Sequence, residues 1–284
     1  MTAGERLSRL WWVPLLLAPA LWLGDLVVQP AGFPFLPGAQ YSDLLISHWP
    51  TAWLIRHSIM AWRQVPLWNP NILSGMPLAA DPLSGMWYPP QWVTVLLPSA
   101  QGFNLFFFAH LVWAGLGMAG FMRQLGAGRW AMLFCGLAFG GLAKTVGHVG
   151  LGHVGMVAGL SWVPWFLWAL DQAIHSTDAL HARRWYALSA GAYALAFLAD
   201  PRWALPVAAL GLGWWTRRAL PVRGETRLDL KVHVPSAALA GSLAVMLSAP
   251  LLLPLSELAR LSTRNSLGVA EAAALSLPPV RLLS

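Results

Sequence analysis

The sequence predicts an all-α polytopic integral membrane protein with about seven transmembrane helices and a large structured loop after the first. Hydrophobic residues make up 57% of the 284 residues and charged residues only 10%, a balance that a soluble domain does not need. The mean hydropathy is +0.56, and the apolar residues arrive in long blocks. The longer blocks approach the roughly 20 residues that a helix needs to cross a bilayer.

The first span is predicted at residues 10–28, shortly after two arginines. This block runs long and lacks a convincing small-residue cleavage site, so we expect a retained signal-anchor. The remaining spans are predicted within residues 103–255, and their apolar blocks are Phe103–Met122, Trp130–Ala143, Val154–Ile174, Trp185–Ala199, Trp203–Trp215 and Val232–Leu255. Only Asp200-Pro201-Arg202 separates the fifth span from the sixth, which predicts a helical hairpin there.

The distribution of charge predicts the orientation in the membrane. The net charge is +7, with 18 basic and 11 acidic residues. The basic residues stand singly or in pairs between apolar blocks, a distribution typical of membrane topology and not of a nucleic-acid partner. If the amino terminus is cytoplasmic, most of these residues lie on the cytoplasmic side, so the positive-inside rule predicts that orientation.

Residues 29–102 are predicted to form an ordered loop on the outer face. Repeated prolines, and the lack of charge runs and of Gly/Ser-rich stretches, argue against a flexible linker. Within this loop, Leu44–Trp62 mixes apolar with basic side chains, which predicts a helix lying in the membrane interface. Residues 256–284 are predicted to form a second outer segment. Long ordered loops on a rigid scaffold usually carry function.

Ionisable residues from well-separated stretches are expected to meet on this outer face. Such residues are costly at membrane depth unless they are paired or used, which favours a functional role for the set. Ordinary solvation of a loop is the alternative for any one of them. The set contains Asp43, Asp81, Lys144, His148, His153, Asp200, Arg202, Glu257, Arg260 and Arg264.

The order of short motifs along the chain resembles that of the YfhO-like bacterial membrane proteins, which are similar to the GT-C class of glycosyltransferases. The outer loop contributes Tyr41-Ser42-Asp43, Pro66-Leu67-Trp68-Asn69-Pro70, Gly75-Met76-Pro77 and Tyr88-Pro89-Pro90. Later motifs are Lys144 with Gly147-His148, Trp162-Val163-Pro164, Asp200-Pro201-Arg202 and Ser248-Ala249-Pro250. Members of that family are generally longer, so the chain is expected to represent the amino-terminal portion.

The resemblance implies transfer of a sugar from a polyprenyl-phosphate donor to an envelope glycan or lipid acceptor outside the bacterial cytoplasmic (inner) membrane. Asp43 matches the catalytic carboxylate of the first outer loop and is the candidate general base. The candidates for binding the phosphate of the donor are Lys144, Arg202 and Arg264, and His148 is a substrate-binding candidate that would donate a hydrogen bond or a proton. Asp81 is a weaker candidate, as a ligand if the reaction uses a divalent metal, but Asp81-Pro82 is also a common turn opener.

Other functions fit parts of the pattern. A transporter would also have many spans and intramembrane charge, but the blocks show no inverted repeat and their charges gather at one face. A non-catalytic protein that binds the carrier lipid is a further alternative. No haem is expected, because His110, His148 and His153 form no evident bis-histidine pair. The single cysteine, Cys135, excludes a disulfide within the chain.

Overall fold

The structure, a computed structural model, describes residues 10–35, 38–220 and 228–262, together with Gly268 and Ala273. Over this part of the chain it is mainly helical and contains no β-strand; Asn69 and Met76 form an isolated antiparallel bridge. The predicted all-α class is therefore confirmed. Within these described ranges, four helical stretches are long and apolar enough to cross a membrane: Ala100–Gln124, Arg129–Gly150, Val154–Ile174 and Leu230–Leu261.

The helices follow one another with short connections outside the long loop. In chain order they are α1 (Val13–Trp22), α2 (Gly24–Val28), α3 (Trp49–Trp62), α4 (Trp92–Leu96), α5 (Ala100–Gln124), α6 (Arg129–Gly140), α7 (Ala143–Gly150), α8 (Val154–Ile174), α9 (Ala179–Ala199), α10 (Ala204–Ala219) and α11 (Leu230–Leu261). A π-helical turn, Leu44–His48, leads into α3. Single 3₁₀ turns occupy Leu78–Ala80, Pro89–Gln91 and Pro201–Trp203.

Most predicted spans differ from the observed helices in their limits. The first, predicted at residues 10–28, is divided at Leu23 into α1 and α2. The block expected to end at Ala143 continues, after a break at Gly141 and Leu142, through α7 to Gly150. The block expected to begin at Trp185 begins earlier, at Ala179, because the carboxylate of Asp178 accepts a hydrogen bond of 2.8 Å from the backbone N–H of His181. Caps of this kind start helices independently of hydropathy, which is why an apolar block does not mark the first turn.

Helices α9 and α10 form the predicted hairpin. The hydroxyl of Tyr193 lies 3.2 Å from the carbonyl oxygen of Ala204, near the connection. Farther along, the indole N–H of Trp215 donates to the hydroxyl of Tyr186 over 2.9 Å. Residue numbers therefore rise along one helix as they fall along the other, so the two helices run antiparallel.

The long loop packs onto one end of the helix bundle, which we call the loop end. Tyr88 of the loop is fully buried, and its hydroxyl accepts the indole N–H of Trp162 in α8 over 2.7 Å. The same hydroxyl lies 2.7 Å from Nε2 of His110, whose Nδ1 contacts the carbonyl oxygen of Phe106 at 2.7 Å. Because a carbonyl only accepts, Nδ1 of His110 carries the proton and Nε2 accepts from Tyr88. This chain of hydrogen bonds anchors the loop to α5 and α8.

Glycines bring α5 and α6 into backbone contact. A Cβ atom on Gly136 would lie 2.8 Å from the carbonyl oxygen of Gly115 and 2.8 Å from Cδ2 of Leu15 in α1. A Cβ on Gly140 would lie 3.0 Å from the carbonyl oxygen of Leu111. These small residues allow the backbones of α5 and α6 to approach closely.

Candidate functional site

Asp43 lies at the loop end, where the chain enters the π-helical turn. Its backbone N–H donates to the carbonyl oxygen of Leu151, in the connection between α7 and α8, over 3.1 Å. Gly152 makes this approach possible: its φ is +76°, and a side chain there would collide with Ser42 and Leu44. The carboxylate makes no capping hydrogen bond within its own turn, which leaves it to interact with side chains of other elements.

Asp43 is linked to two histidines around the turn between α7 and α8. One carboxylate oxygen, Oδ2, lies 3.4 Å from Nε2 of His153, and the two side chains are 36% and 26% exposed. Nδ1 of His153 lies 2.7 Å from Nδ1 of His148, near the end of α7. A carboxylate and two imidazoles thus form one row, reachable from solvent and contributed by two segments more than 100 residues apart in sequence.

A third histidine, His48, flanks Asp43 from the end of the π-helical turn. It is buried, with 3% of its surface exposed, and its Nδ1 has no hydrogen-bond partner among the described residues. Burial lowers the pKa of His48 to about 4, although the nearby Asp43 carboxylate and a backbone hydrogen bond with Leu83 act in the opposite direction. His48 is therefore neutral at physiological pH.

Asp200 and Arg202 form a tight ion pair in the 3₁₀ turn between α9 and α10. Nε of Arg202 donates to both carboxylate oxygens, at 2.9 and 3.0 Å, and Nη2 donates to Oδ2 at 2.6 Å. The Asp200 hydrogen bonds raise the pKa of Arg202, and the charge of Asp43 contributes in the same direction. The Arg202 side chain is 60% exposed, and its bonds to Asp200 leave Nη1 outside the pair.

The other predicted site residues are placed differently. Lys144 is exposed on α7, one turn before His148. Glu257 and Arg260 are exposed near the end of α11, and Arg264 lies outside the described residues.

Asp81 is buried in a turn of its own. Its Oδ1 accepts the backbone N–H of Leu83 over 2.9 Å, and its carbonyl oxygen accepts the hydroxyl of Ser84 over 2.8 Å. The turn predicted at Asp81-Pro82 is thus confirmed. Burial raises the pKa of Asp81, and no ion pair within the described part of the chain joins it to Asp43 or Arg202.

We refer to Asp43, His48, His148, His153, Asp200 and Arg202 as the loop-end cluster. Its members come from the long loop, α7, the start of α8 and the turn after α9, and electrostatic interactions connect them. The described residues contain no group of three or more histidine, cysteine, aspartate or glutamate side chains arranged to hold a metal ion. Its partly exposed carboxylate, its hydrogen-bonded imidazoles and its guanidinium suit the cluster to proton transfer and to binding an anionic group.

Another buried carboxylate, which the sequence analysis does not predict, lies at the opposite end of the bundle. Asp171, in the last turn of α8, has a side chain that is 1% exposed. Its Oδ1 accepts the indole N–H of Trp214 over 2.9 Å and lies 3.6 Å from Nη2 of Arg218. Nδ1 of His175 lies 3.2 Å from Oδ2. These contacts join the ends of α8 and α10.

An apolar cavity of about 500 Å³ lies between α8, α9, α10 and α11. Small residues such as Gly211, Ala237 and Gly241 line it, together with Tyr186 and Tyr193. None of the loop-end cluster lines this cavity. Its apolar wall would suit a hydrocarbon chain.

No family model, curated protein or solved structure matches the chain.

Proposed function

We propose that the chain is a YfhO-like, GT-C-type glycosyltransferase. It transfers a sugar from a polyprenyl-phosphate donor to an envelope glycan or lipid acceptor at the outer face of the bacterial cytoplasmic membrane. The observation that carries this proposal is the loop-end cluster itself. Segments far apart in sequence bring a partly exposed carboxylate, three histidines and an arginine together beside a helical bundle with apolar, membrane-length helices.

The proposed topology has seven crossings, with the loop end outside the cytoplasm. The four long apolar stretches account for four crossings, and α1, α9 and α10 supply the others. Successive helices along the chain then alternate in direction, and the antiparallel contacts between α9 and α10 fit this order. The long loop and the connections after α7 and α9 then share one side of the membrane.

The proposed chemistry follows from the charges of the cluster. Asp43 supplies the negative charge that drives removal of a proton from the acceptor hydroxyl. The acceptor oxygen bonds to the anomeric carbon of the sugar while the bond from that carbon to the phosphate oxygen breaks, and the phosphate keeps the bonding electron pair. Nη1 of Arg202 and the ammonium of Lys144 stabilise the charge that grows on this leaving group.

A non-catalytic protein that binds the carrier lipid is the second candidate, and the apolar cavity favours it. The cavity would take part of an isoprenoid chain whether or not a sugar is transferred. The difference between the two functions lies in Asp43: its charge is needed for turnover and contributes nothing to packing a hydrocarbon chain.

The test is transfer of labelled sugar from polyprenyl-phosphate donors to acceptors in membranes that carry the chain. We expect transfer with the wild type, and a loss of at least about 100-fold with Asp43→Asn at matched expression. The control is Asp25→Asn, which also removes an exposed carboxylate but belongs to α2 and not to the loop-end cluster.

The outcomes separate the two functions. Loss of transfer in Asp43→Asn but not in Asp25→Asn supports the glycosyltransferase. If wild-type membranes transfer no more sugar than empty membranes yet bind the carrier lipid equally well with and without Asp43, the carrier-binding function is correct.

A further inference from the structure

We propose that Nε2 of His148 is the atom that meets the acceptor hydroxyl, and that Asp43 acts on it through His153. This inference rests on the proposed function, which it deepens by naming the route of the proton. His148 is then the catalytic base, whereas His153 and Asp43 are positioning residues.

One proton is shared between the rings of His148 and His153. Their Nδ1 atoms lie 2.7 Å apart, so one ring must donate and the other must accept. Asp43 determines which ring donates this hydrogen bond, because its Oδ2 lies 3.4 Å from Nε2 of His153. A carboxylate at this distance favours a proton on the facing nitrogen. A neutral His153 with its proton on Nε2 has a lone pair on Nδ1, so His148 is the donor.

The hydrogen bond to His153 also determines the state of Nε2, the other ring nitrogen of His148. A neutral ring that donates from Nδ1 carries a lone pair on Nε2. This Nε2 atom is buried and has no hydrogen-bond partner within the described part of the chain. Buried polar atoms without a partner are rare in proteins, and each requires an explanation. A substrate hydroxyl that donates to Nε2 would supply the missing partner.

Charged groups surround the rings of His148 and His153. The groups facing it are Lys144 on α7, Asp43 and His48 from the long loop, and Asp200 and Arg202 from the turn after α9. Lys144 and Arg202 both lie within electrostatic range of the His148 ring. A sugar phosphate held by these cations would therefore lie near that ring.

In the proposed reaction, the acceptor O–H donates to Nε2 of His148, and its proton moves to that nitrogen as the oxygen bonds to the anomeric carbon. The bond from this carbon to the phosphate breaks, and the phosphate leaves with the electron pair. The positive charge on His148 is stabilised through its Nδ1–H by His153 and, beyond it, by Asp43, as in other carboxylate–imidazole systems. Water then takes the proton from Nε2.

The activity test uses two substitutions of His148 in the full chain in native membranes. His148→Asn keeps a polar atom near Nδ1 for His153 but removes Nε2, so turnover should fall about 10²–10⁴-fold with an unchanged KM for the donor. In His148→Ala, added imidazole should restore part of the turnover. The control is His181→Asn, an exposed histidine on α9 that belongs to the opposite end of the bundle and should retain wild-type turnover.

A second measurement does not depend on turnover. Nitrogen-15 NMR of labelled histidine in the purified chain, assigned with the variants, should place the proton of His148 on Nδ1 and that of His153 on Nε2. In Asp43→Asn this preference should weaken, because the charge that fixes it is gone.

The outcomes separate this inference from the proposed function. If His148→Asn keeps its turnover while Asp43→Asn loses it, the glycosyltransferase stands and Asp43 meets the acceptor directly, which overturns the inference. A proton on Nε2 of His148 would overturn it as well. If the wild type transfers no sugar, the proposed function fails, and the catalytic role of His148 fails with it even where NMR finds the expected protons.

Discussion

Replacement of the buried Asp171 tests whether this carboxylate holds α8 and α10 together. Asp171→Asn preserves the size of the side chain and one oxygen for the indole N–H of Trp214, 2.9 Å away, but it removes the charge facing Arg218 and His175. Breaking a fully buried ion pair costs about 3–5 kcal/mol. Because the side chains of Arg218 and His175 are 24% and 47% exposed, water can compensate for part of this loss. We therefore expect a loss of about 1–2 kcal/mol.

Asp171→Leu should cost more, because it also leaves the partly buried indole N–H of Trp214 without an acceptor. That unsatisfied donor adds about 1–3 kcal/mol. The assay is the thermal unfolding midpoint of the purified chain in detergent, followed by tryptophan fluorescence, with Asp178→Asn as a control at an exposed helix cap. The expected order of stability is wild type, then Asn, then Leu. A Leu variant as stable as the Asn variant would refute the role of the Trp214 hydrogen bond, and an Asn variant as stable as the wild type would refute that of the charge.

The same assay checks two further predictions. Gly136→Ala should lower stability by about 1–3 kcal/mol, since its Cβ would lie 2.8 Å from the backbone oxygen of Gly115. The control is Gly191→Ala, which has nothing within 4 Å of its Cβ and should leave stability unchanged or slightly higher. Equal losses in the two variants would contradict the close packing of α5 and α6. Burial lowers the pKa of His48 from 6.5 to about 4, so the unfolded chain binds a proton in this range that the folded protein does not. Stability should be insensitive to this group above pH 6.5 and fall by about 3 kcal/mol as the pH drops to 4. His48→Phe should remove that part of the pH dependence, and an unchanged profile would show that another group causes it.

Parts of the candidate site could be predicted from the sequence. Asp43 was singled out by its place in a motif, and the charged stretches around His148 and Arg202 were expected on its side of the membrane. The structure brings these residues into one cluster, but it separates Asp81, whose carboxylate is used by the backbone of its own turn. The sequence leaves both roles of Asp81 open, because an aspartate before proline often opens a turn and a carboxylate can also bind a metal.

The contribution of His48 was not apparent in the sequence. A histidine among apolar and basic residues of an interfacial helix is expected to be exposed. The π-helical turn instead directs His48 into the interior, beside Asp43. One extra residue in a helical turn changes the direction of every later side chain on the helix. Residue propensities do not predict this change.

The sequence by itself determined the class of the protein and the position of its apolar helices. Hydropathy adds up along a chain segment, and a block of apolar residues favours a membrane-embedded helix whatever its neighbours are. The tertiary structure alone decided which ionisable groups meet. Asp43 reaches His153 because Gly152 adopts a positive φ and lets the loop approach the turn between α7 and α8. Such a contact depends on how separate helices pack, and packing is set by the shape of many side chains together, which no single stretch of sequence contains.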